Sequence, residues 1–327
     1  MRKDVFIVNP KAGKHDQSAK IMELIRRSAE AHDLNYQIYV TEYKGHAIQI
    51  VAREAEANAP DLCRFYSCGG DGTLNEIVCG AAGHENAQVA CYPCGTGNDF
   101  IKLFAGQEYF LSMDALIEAD TIPLDLIQIN HKFAINLCSA GIDARVADWV
   151  GRHNHMIPLP GKLMYDLSLI VNFFGRIHRY YEVELDGMRL DGDYAIIVAS
   201  SGRYYGGGFY AIPEAEPDDG LLDFLLIRKV RHLELLRLIG KYAAGRHNEL
   251  ADYQIYRRGK HLTLRSKKAE PCNYDGEILR VADVSVGLAP WKLPVALPHG
   301  SALIRSEEEK MRKTVKTGIK YSKQEII

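Results

Sequence analysis

The chain has 327 residues, enough for about two domains, each with its own core. Apolar residues make up 47% and charged residues 25%, an ordinary globular composition, and a formal charge of -2 excludes the broad basic field of a nucleic-acid-binding protein. Seven cysteines, an odd number, fit a reducing compartment rather than a disulfide scaffold.

In chain order, residues 5–8 (VFIV) read as a buried strand. Residues 18–32 follow as a helix, with Ile21, Leu24, Ile25 and Ala29 at helical spacing. A strand over 36–41 precedes a helix over 46–58, whose Ala47, Ile50, Val51 and Ala55 share one face. Residues 64–68 and 88–92 read as strands, 74–82 as a helix, and 99–104 as the start of another. This alternation predicts a parallel sheet covered by helices, with its ligand crevice beyond the carboxyl ends of the strands. The pattern then changes. A hairpin is expected over 121–129 and 133–137, turning at Asn130 and His131, and a helical insert over 161–178. Strands are expected over 180–185, 194–200, 221–227, 261–265 and 284–288, with a helix over 232–243. Asp-Gly pairs at Asp186, Asp219 and Asp275 mark turns. The expected division is an α/β domain over 1–125, a β-rich domain over 126–300, and a tail over 301–327 that could return to the first domain.

No apolar run is long enough to span a bilayer; the best, 167–174, is flanked by Asp166 and Arg176. The stretch before Asn9 and Pro10 reads as a strand rather than a signal peptide, so a cytoplasmic protein is expected. Lys310, Arg312, Lys313, Lys316, Lys320 and Lys323 run without an acid among them, which suits anionic headgroups or a solvated terminus. Cys91 and Cys94 form a CxxC without the second pair that structural zinc requires.

Four loops fall at the ends of the first four strands and should face one edge of the sheet. They are Asn9-Pro10-Lys11-Ala12-Gly13-Lys14, the segment from Thr41 to Gly45 and His46, Gly69-Gly70-Asp71-Gly72-Thr73, and Gly95-Thr96-Gly97-Asn98-Asp99. The third carries the strongest signal. Its glycines let the backbone approach a ligand, and the helix that follows offers unpaired N–H groups, which together make a phosphate cradle. Asp71 would repel a triphosphate unless a cation lay between them, which points to Mg²⁺ held through water; the alternative is a glycine turn with Asp71 as a cap. In the fourth loop the Thr96 hydroxyl suits phosphate, while Asn98 and Asp99 also suit a helix N-cap. Lys14 could neutralise phosphate charge. No GxxxxGK[ST] and no GxGxxG occurs.

The run NPKAG, then GGDGTLNE, then PCGTGNDF, resembles the diacylglycerol kinase catalytic-domain family. That family includes soluble bacterial diacylglycerol kinases, YegS-type lipid kinases, and sphingosine and ceramide kinases. The likeness continues through Asn136-Leu137, Gly141-Ile142-Asp143, Tyr205-Gly206-Gly207-Gly208, the Asp218-to-Asp223 segment and Asp275-Gly276-Glu277, so it covers nearly the whole chain. The resemblance implies a nucleotide domain of NAD kinase/phosphofructokinase type, a C-terminal β-sandwich, and an active site in the cleft between them. It places ATP contacts on Asn9, Pro10, Lys11, Ala12, Gly13, Lys14, Thr41, Gly69, Gly70, Asp71, Gly72, Thr73, Leu74, Asn75 and Thr96. It places a catalytic carboxylate on Asp275 or Glu277, which would share one side of a regular strand. It implies structural Mg²⁺ at Glu216 and Leu221, through backbone carbonyls, and at Asp219, with Lys14, Asp219 and Asp275 in a charged network. Two departures stand out: Ala12 replaces the usual Ser, and Lys102 stands where Arg is common.

The expected activity is ATP- and Mg²⁺-dependent transfer of the γ-phosphate to a lipid hydroxyl, diacylglycerol giving phosphatidic acid, with the β-rich domain meeting the lipid. Such a protein would contact the membrane peripherally and bind no nucleic acid; a homodimer is left open. NAD kinase shares GGDGT but not the GTGND, YGGG and DGE series. A nucleotide-binding regulator without turnover is the third reading, supported only by Ala12.

Overall fold

The computed structural model describes residues 2–153, 177–246 and 252–308, together with Leu167, Ser168, Val171, Gly175 and Glu249. Most of the insert expected over 161–178 falls outside these residues, and the basic tail from Lys310 does so entirely.

The first domain is built on four parallel strands: β1 (Lys3–Val8), β2 (Tyr36–Val40), β3 (Cys63–Gly69) and β4 (Ala87–Pro93). Their order is β2-β1-β3-β4. Every residue of β3 is buried, as a central strand covered on both faces requires, whereas the edge strand β2 is only half-buried. Helices α1 (Ser18–Ala31), α2 (His46–Asn58) and α3 (Asp71–Ala81) each turn an apolar stripe to the sheet. Ile25, Ile50, Val51, Ile77 and Val78 are within 1% of full burial, and each such side chain contributes about 1.5–3 kcal/mol.

The segment expected to form one strand over 121–129 divides. Residues Asp120–Leu124 belong to the first sheet, while Ile127–Ile129 open the second. The break falls at Asp125, whose carboxylate meets Lys292 at 3.0 Å and accepts the Gly220 N–H at 2.7 Å. The return crossing comes earlier than 300. Leu293–Leu297 lies parallel to β4 and antiparallel to Asp120–Leu124, and Ala302–Leu303 pairs with Phe104–Ala105.

The second domain is β-rich. Arg179–Leu185 pairs with Gly192–Ser200 through its first three residues and with His261–Tyr274 through its last four, which folds the sheet back on itself. Inside lie Ile127, Tyr181, Val183, Ile197, Phe224, Leu226, Leu262 and Val286. The expected strands 261–265 and 284–288 are the ends of two much longer ones, His261–Tyr274 and Glu277–Leu288, joined at Asp275-Gly276. Their middles carry charge and a register shift between Arg265 and Glu270, so alternation fades there. A helix α5 (Ile142–His153), not expected from the sequence, follows the strand Leu137–Gly141. A shorter one, α4 (Met113–Glu118), precedes residue 120. The helix expected from 99 is a 3₁₀ turn, Phe100–Leu103. Among the described residues, no helix is long and apolar enough to cross a membrane.

Candidate active site

The loops after β1, β2, β3 and β4 border one cavity of about 710 Å³, closed on its far side by the second domain. Of the expected nucleotide contacts, Asn9, Lys11, Ala12, Gly13, Thr41, Gly70, Asp71, Gly72, Thr73 and Thr96 line it. Pro10, Lys14, Gly69, Leu74 and Asn75 do not. Lys14 is exposed, Leu74 is core, and Asn75 is buried as a bridge: its Nδ2 donates to the Phe133 carbonyl at 3.0 Å and reaches Asp275 Oδ2 at 3.4 Å.

Short polar bonds knit the loops together. Asn9 Nδ2 donates to Thr73 Oγ1 at 2.9 Å, and the Lys11 N–H returns to Asn9 Oδ1 at 2.9 Å. The third and fourth loops touch backbone to backbone: a Cβ on Gly95 would lie 2.6 Å from the Gly70 Cα, so Gly95 has no room for a side chain, and one on Gly70 would come within 3.1 Å of the Gly95 Cα. Asn98 closes the fourth loop on itself, accepting from the Gly95 N–H at 3.0 Å and donating to the Gly95 carbonyl at 2.9 Å. Asp71 Oδ1 accepts the Asp99 N–H at 2.7 Å. Burial, then the nearby Asp99 carboxylate, raise the Asp71 pKa, while the N–H groups of residues 98–100 lower it. Asp71 is therefore both a cap for the 3₁₀ turn and a wall residue.

Asp99 reaches the other domain. Its Oδ2 accepts the Gly207 N–H at 2.7 Å, and its Oδ1 meets Lys102 Nζ at 2.5 Å. Sequence reasoning gave Asp99 the weaker role of an N-cap. The partner that lifts it lies 108 positions away, where no local pattern could point.

The two acids of the DGE segment separate in role. Asp275 has φ +46 and is not on a regular strand. Its carboxylate accepts the N–H groups of Ile135 at 2.6 Å, Asn136 at 3.1 Å and Leu137 at 2.9 Å. Burial still pushes its pKa up to about 6 against those bonds. These N–H groups are the ones an unbroken strand over 133–137 would have spent on a ladder, which explains the gap between Lys132–Ala134 and Leu137–Gly141. Glu277 is free of such capture. It lies in the cavity wall, with Lys44 Nζ 2.5 Å from Oε2. Lys44 was not singled out from sequence, since one exposed lysine in a loop carries no signal. Glu76, on α3, also escaped, because its partners lie about 30 residues earlier: it accepts the Gly45 and Ala47 N–H groups at 2.7 and 3.2 Å and fixes the start of α2.

The opposite wall holds Asn136, Leu137, Asp143, Tyr205 and Gly207. Burial pushes the Asp143 pKa up to about 6.

At the segment expected to hold structural Mg²⁺, the acidic side chains are engaged within the protein. Asp219 Oδ2 is taken by Arg258, and its Oδ1 accepts the Leu221 N–H at 3.0 Å. Glu216 is bound by Arg203 at 2.9 Å and by the Ser306 N–H at 2.6 Å, and Asp218 by Arg305 at 2.6 Å. Acids and bases here share partners, Arg305 between Glu216 and Asp218 and Arg258 between Asp219 and Asp223. None of Glu216, Asp219 and Leu221 lines the cleft, and Asp219 does not join Lys14 and Asp275 in a network. Among the described residues no group of three or more His, Cys, Asp or Glu is placed to hold a metal.

Residues 3–129 match the diacylglycerol kinase catalytic domain, and residues 136–297 match the YegS C-terminal NAD kinase beta sandwich-like domain. The chain is similar to a Staphylococcus carnosus protein named diacylglycerol kinase, with 27% identity over 85% of this chain and 89% of that one. It is equally similar to the Pseudomonas aeruginosa protein named "Probable lipid kinase YegS-like", at 27% identity over 82% and 86% of the two chains. Its fold matches the crystal structure of a diacylglycerol kinase from Bacillus anthracis strain Sterne, with a TM-score of 0.68, 20% identity, and coverage of 92% and 98%. With both domains matched in order and the glycine loops gathered at one cleft, the chain belongs to the diacylglycerol kinase catalytic-domain family.

Proposed function

We propose that the protein transfers the γ-phosphate of ATP to the hydroxyl of a membrane lipid, with diacylglycerol as the leading acceptor and phosphatidic acid as product. The observation that carries this reading is the meeting, in one cavity, of two glycine loops from the first domain and the Glu277 carboxylate from the second.

Phosphoryl transfer asks the protein mostly for positioning and charge stabilisation. Gly70, Gly72, Gly95 and Gly97 have no side chains to keep phosphates away, and the first turn of α3 adds its N–H groups. Lys44 and Lys11 supply positive charge at the cavity wall. Mg²⁺ carried with ATP would supply charge neutralisation at the transferred phosphate; Asp71, in the wall beside the glycine loops, suits an ion held mainly by phosphates and water. Glu277 serves as general base, accepting the proton of the attacking hydroxyl, because the Asp275 oxygens are already spent on backbone N–H groups. Asp275 positions the 135–137 segment beside it. A second reading gives the base role to Asp71, whose burial raises its proton affinity. The acceptor lies in a bilayer, so the protein would work at the membrane surface, as a peripheral protein of the cytoplasm.

The test is transfer of labelled γ-phosphate from ATP with Mg²⁺ to diacylglycerol, ceramide, sphingosine, phosphatidylglycerol and NAD in mixed micelles. A labelled lipid supports the reading and names the acceptor. Labelled NADP, or ATP binding with no product on any acceptor, would overturn it.

A further inference from the structure

We propose that Tyr43 is the stacking platform for the purine base of the nucleotide, an inference that rests on the ATP-dependent reading of the same cleft. The phosphate cradle is built at the ends of the central strands β1, β3 and β4. A nucleotide laid there must send its base toward one side. On the β4 side the cavity is closed by Asp99 bonded to Gly207, with a Cβ on Gly97 reaching 3.5 Å from the Gly207 Cα. On the β2 side the wall is formed by the loop that carries Thr41, Tyr43 and Lys44.

Tyr43 is an exposed aromatic residue (51% accessible) in a cavity wall, and it is not loose. Its ring stacks on the His46 imidazole, with centroids 4.6 Å apart and planes 10° from parallel. Its hydroxyl donates to Gln49 Oε1 at 3.0 Å, and His46 Nδ1 is itself held by the Glu42 N–H at 3.2 Å. Both partners sit on the first turn of α2, so the ring is held flat against a helix end. Such a side chain loses little further freedom when a flat ligand lands on it. The neighbouring Lys44 turns instead toward Glu277. One loop thus offers an apolar face for a base and a cation for phosphate. A core role explains neither the exposure of the ring nor the two contacts that orient it.

The test is calorimetric titration of the whole protein with Mg-ATP, and with tripolyphosphate as a probe that lacks the base. Tyr43→Ala should weaken ATP roughly five- to hundredfold, the range of one lost base–aromatic stack, and leave tripolyphosphate binding unchanged. Tyr43→Phe, which keeps the ring and loses only the Gln49 bond, should stay within about threefold of the parent. The inference is overturned if Tyr43→Ala binds ATP as the parent does, or if ATP and tripolyphosphate weaken together. A parent protein that binds neither ligand would remove the nucleotide reading itself, and this inference with it.

Discussion

Lys44 and Glu277 meet across the cleft, one from the loop after β2 and the other from the second domain, with Nζ 2.5 Å from Oε2. The lysine side chain is 75% exposed, so the pair adds little to stability. Its consequence is local. An incoming triphosphate competes with Glu277 for the same cation. Lys44→Met should leave the melting temperature where it is and raise the KM for ATP by roughly tenfold. Steady-state kinetics beside a thermal melt would check this. An unchanged KM would mean that the lysine never leaves Glu277.

Glu277 and Asp275 should respond differently to loss of charge. Glu277→Gln should lower kcat by roughly 10²–10⁴ with stability unchanged and ATP binding equal or tighter, since it removes a base that makes no structural bond to the backbone and frees Lys44 for phosphate. Asp275→Asn relieves a buried charge but leaves one acceptor oxygen where the carboxylate accepts three N–H groups, so it should disturb the 135–137 segment and shift the denaturant midpoint, which Glu277→Gln should not. Denaturant midpoints and turnover numbers for both variants separate the roles. Full activity in Glu277→Gln together with a dead, folded Asp71→Asn would move the base to Asp71.

Gly72 offers a cleaner probe of the cradle. A Cβ there meets nothing within 4 Å, and its backbone is not left-handed. The protein itself has no need of glycine at this position, which lies in the first turn of α3 and in the cavity wall. Gly72→Ala should therefore hold or raise stability by about 0.5–1 kcal/mol while weakening ATP. Gly95→Ala should do both kinds of damage, since its Cβ would strike the Gly70 backbone. Equal ATP affinity in Gly72→Ala and the parent would place the phosphates elsewhere.

The first half of the fold was legible because each element there is a local pattern. An apolar run such as residues 5–8 becomes a buried parallel strand, and Ile50, Val51 and Ala55 repeat at helical spacing. The loops followed from the topology, since parallel strands put their carboxyl ends on one edge. What escaped was non-local. Asp275 looked like one half of a catalytic pair, but its three N–H partners lie about 140 residues earlier. Asp219 meets Arg258 through strand pairing, which nothing in its own segment announces. The return of Leu293–Leu297 to the first sheet likewise has no signal within the strand itself, which reads the same in either domain.

Asp143 carries a consequence for pH. Burial raises its pKa from the ordinary 3.8 to about 6, so the folded protein binds this proton more tightly than the unfolded chain does. Stability from this group is then fully present below about pH 4, falls as pH rises through about 6, and is absent above that. The group should destabilise the folded state at pH 7.5 by about 1–3 kcal/mol. Asp275 and Asp223, both also raised to about 6, act in the same direction, while Glu54, lowered by its bonds to Lys3 and Tyr39 despite burial, acts against them. Overall pH dependence therefore mixes several groups, and the informative quantity is the difference made by one substitution. Asp143→Asn removes the titration and keeps the shape. It should raise the urea midpoint at pH 7.5, and the gain should shrink as pH falls from 6 toward 4. A gain that is the same at every pH would show that the carboxylate keeps its ordinary proton affinity in the folded protein, its burial relieved by solvent.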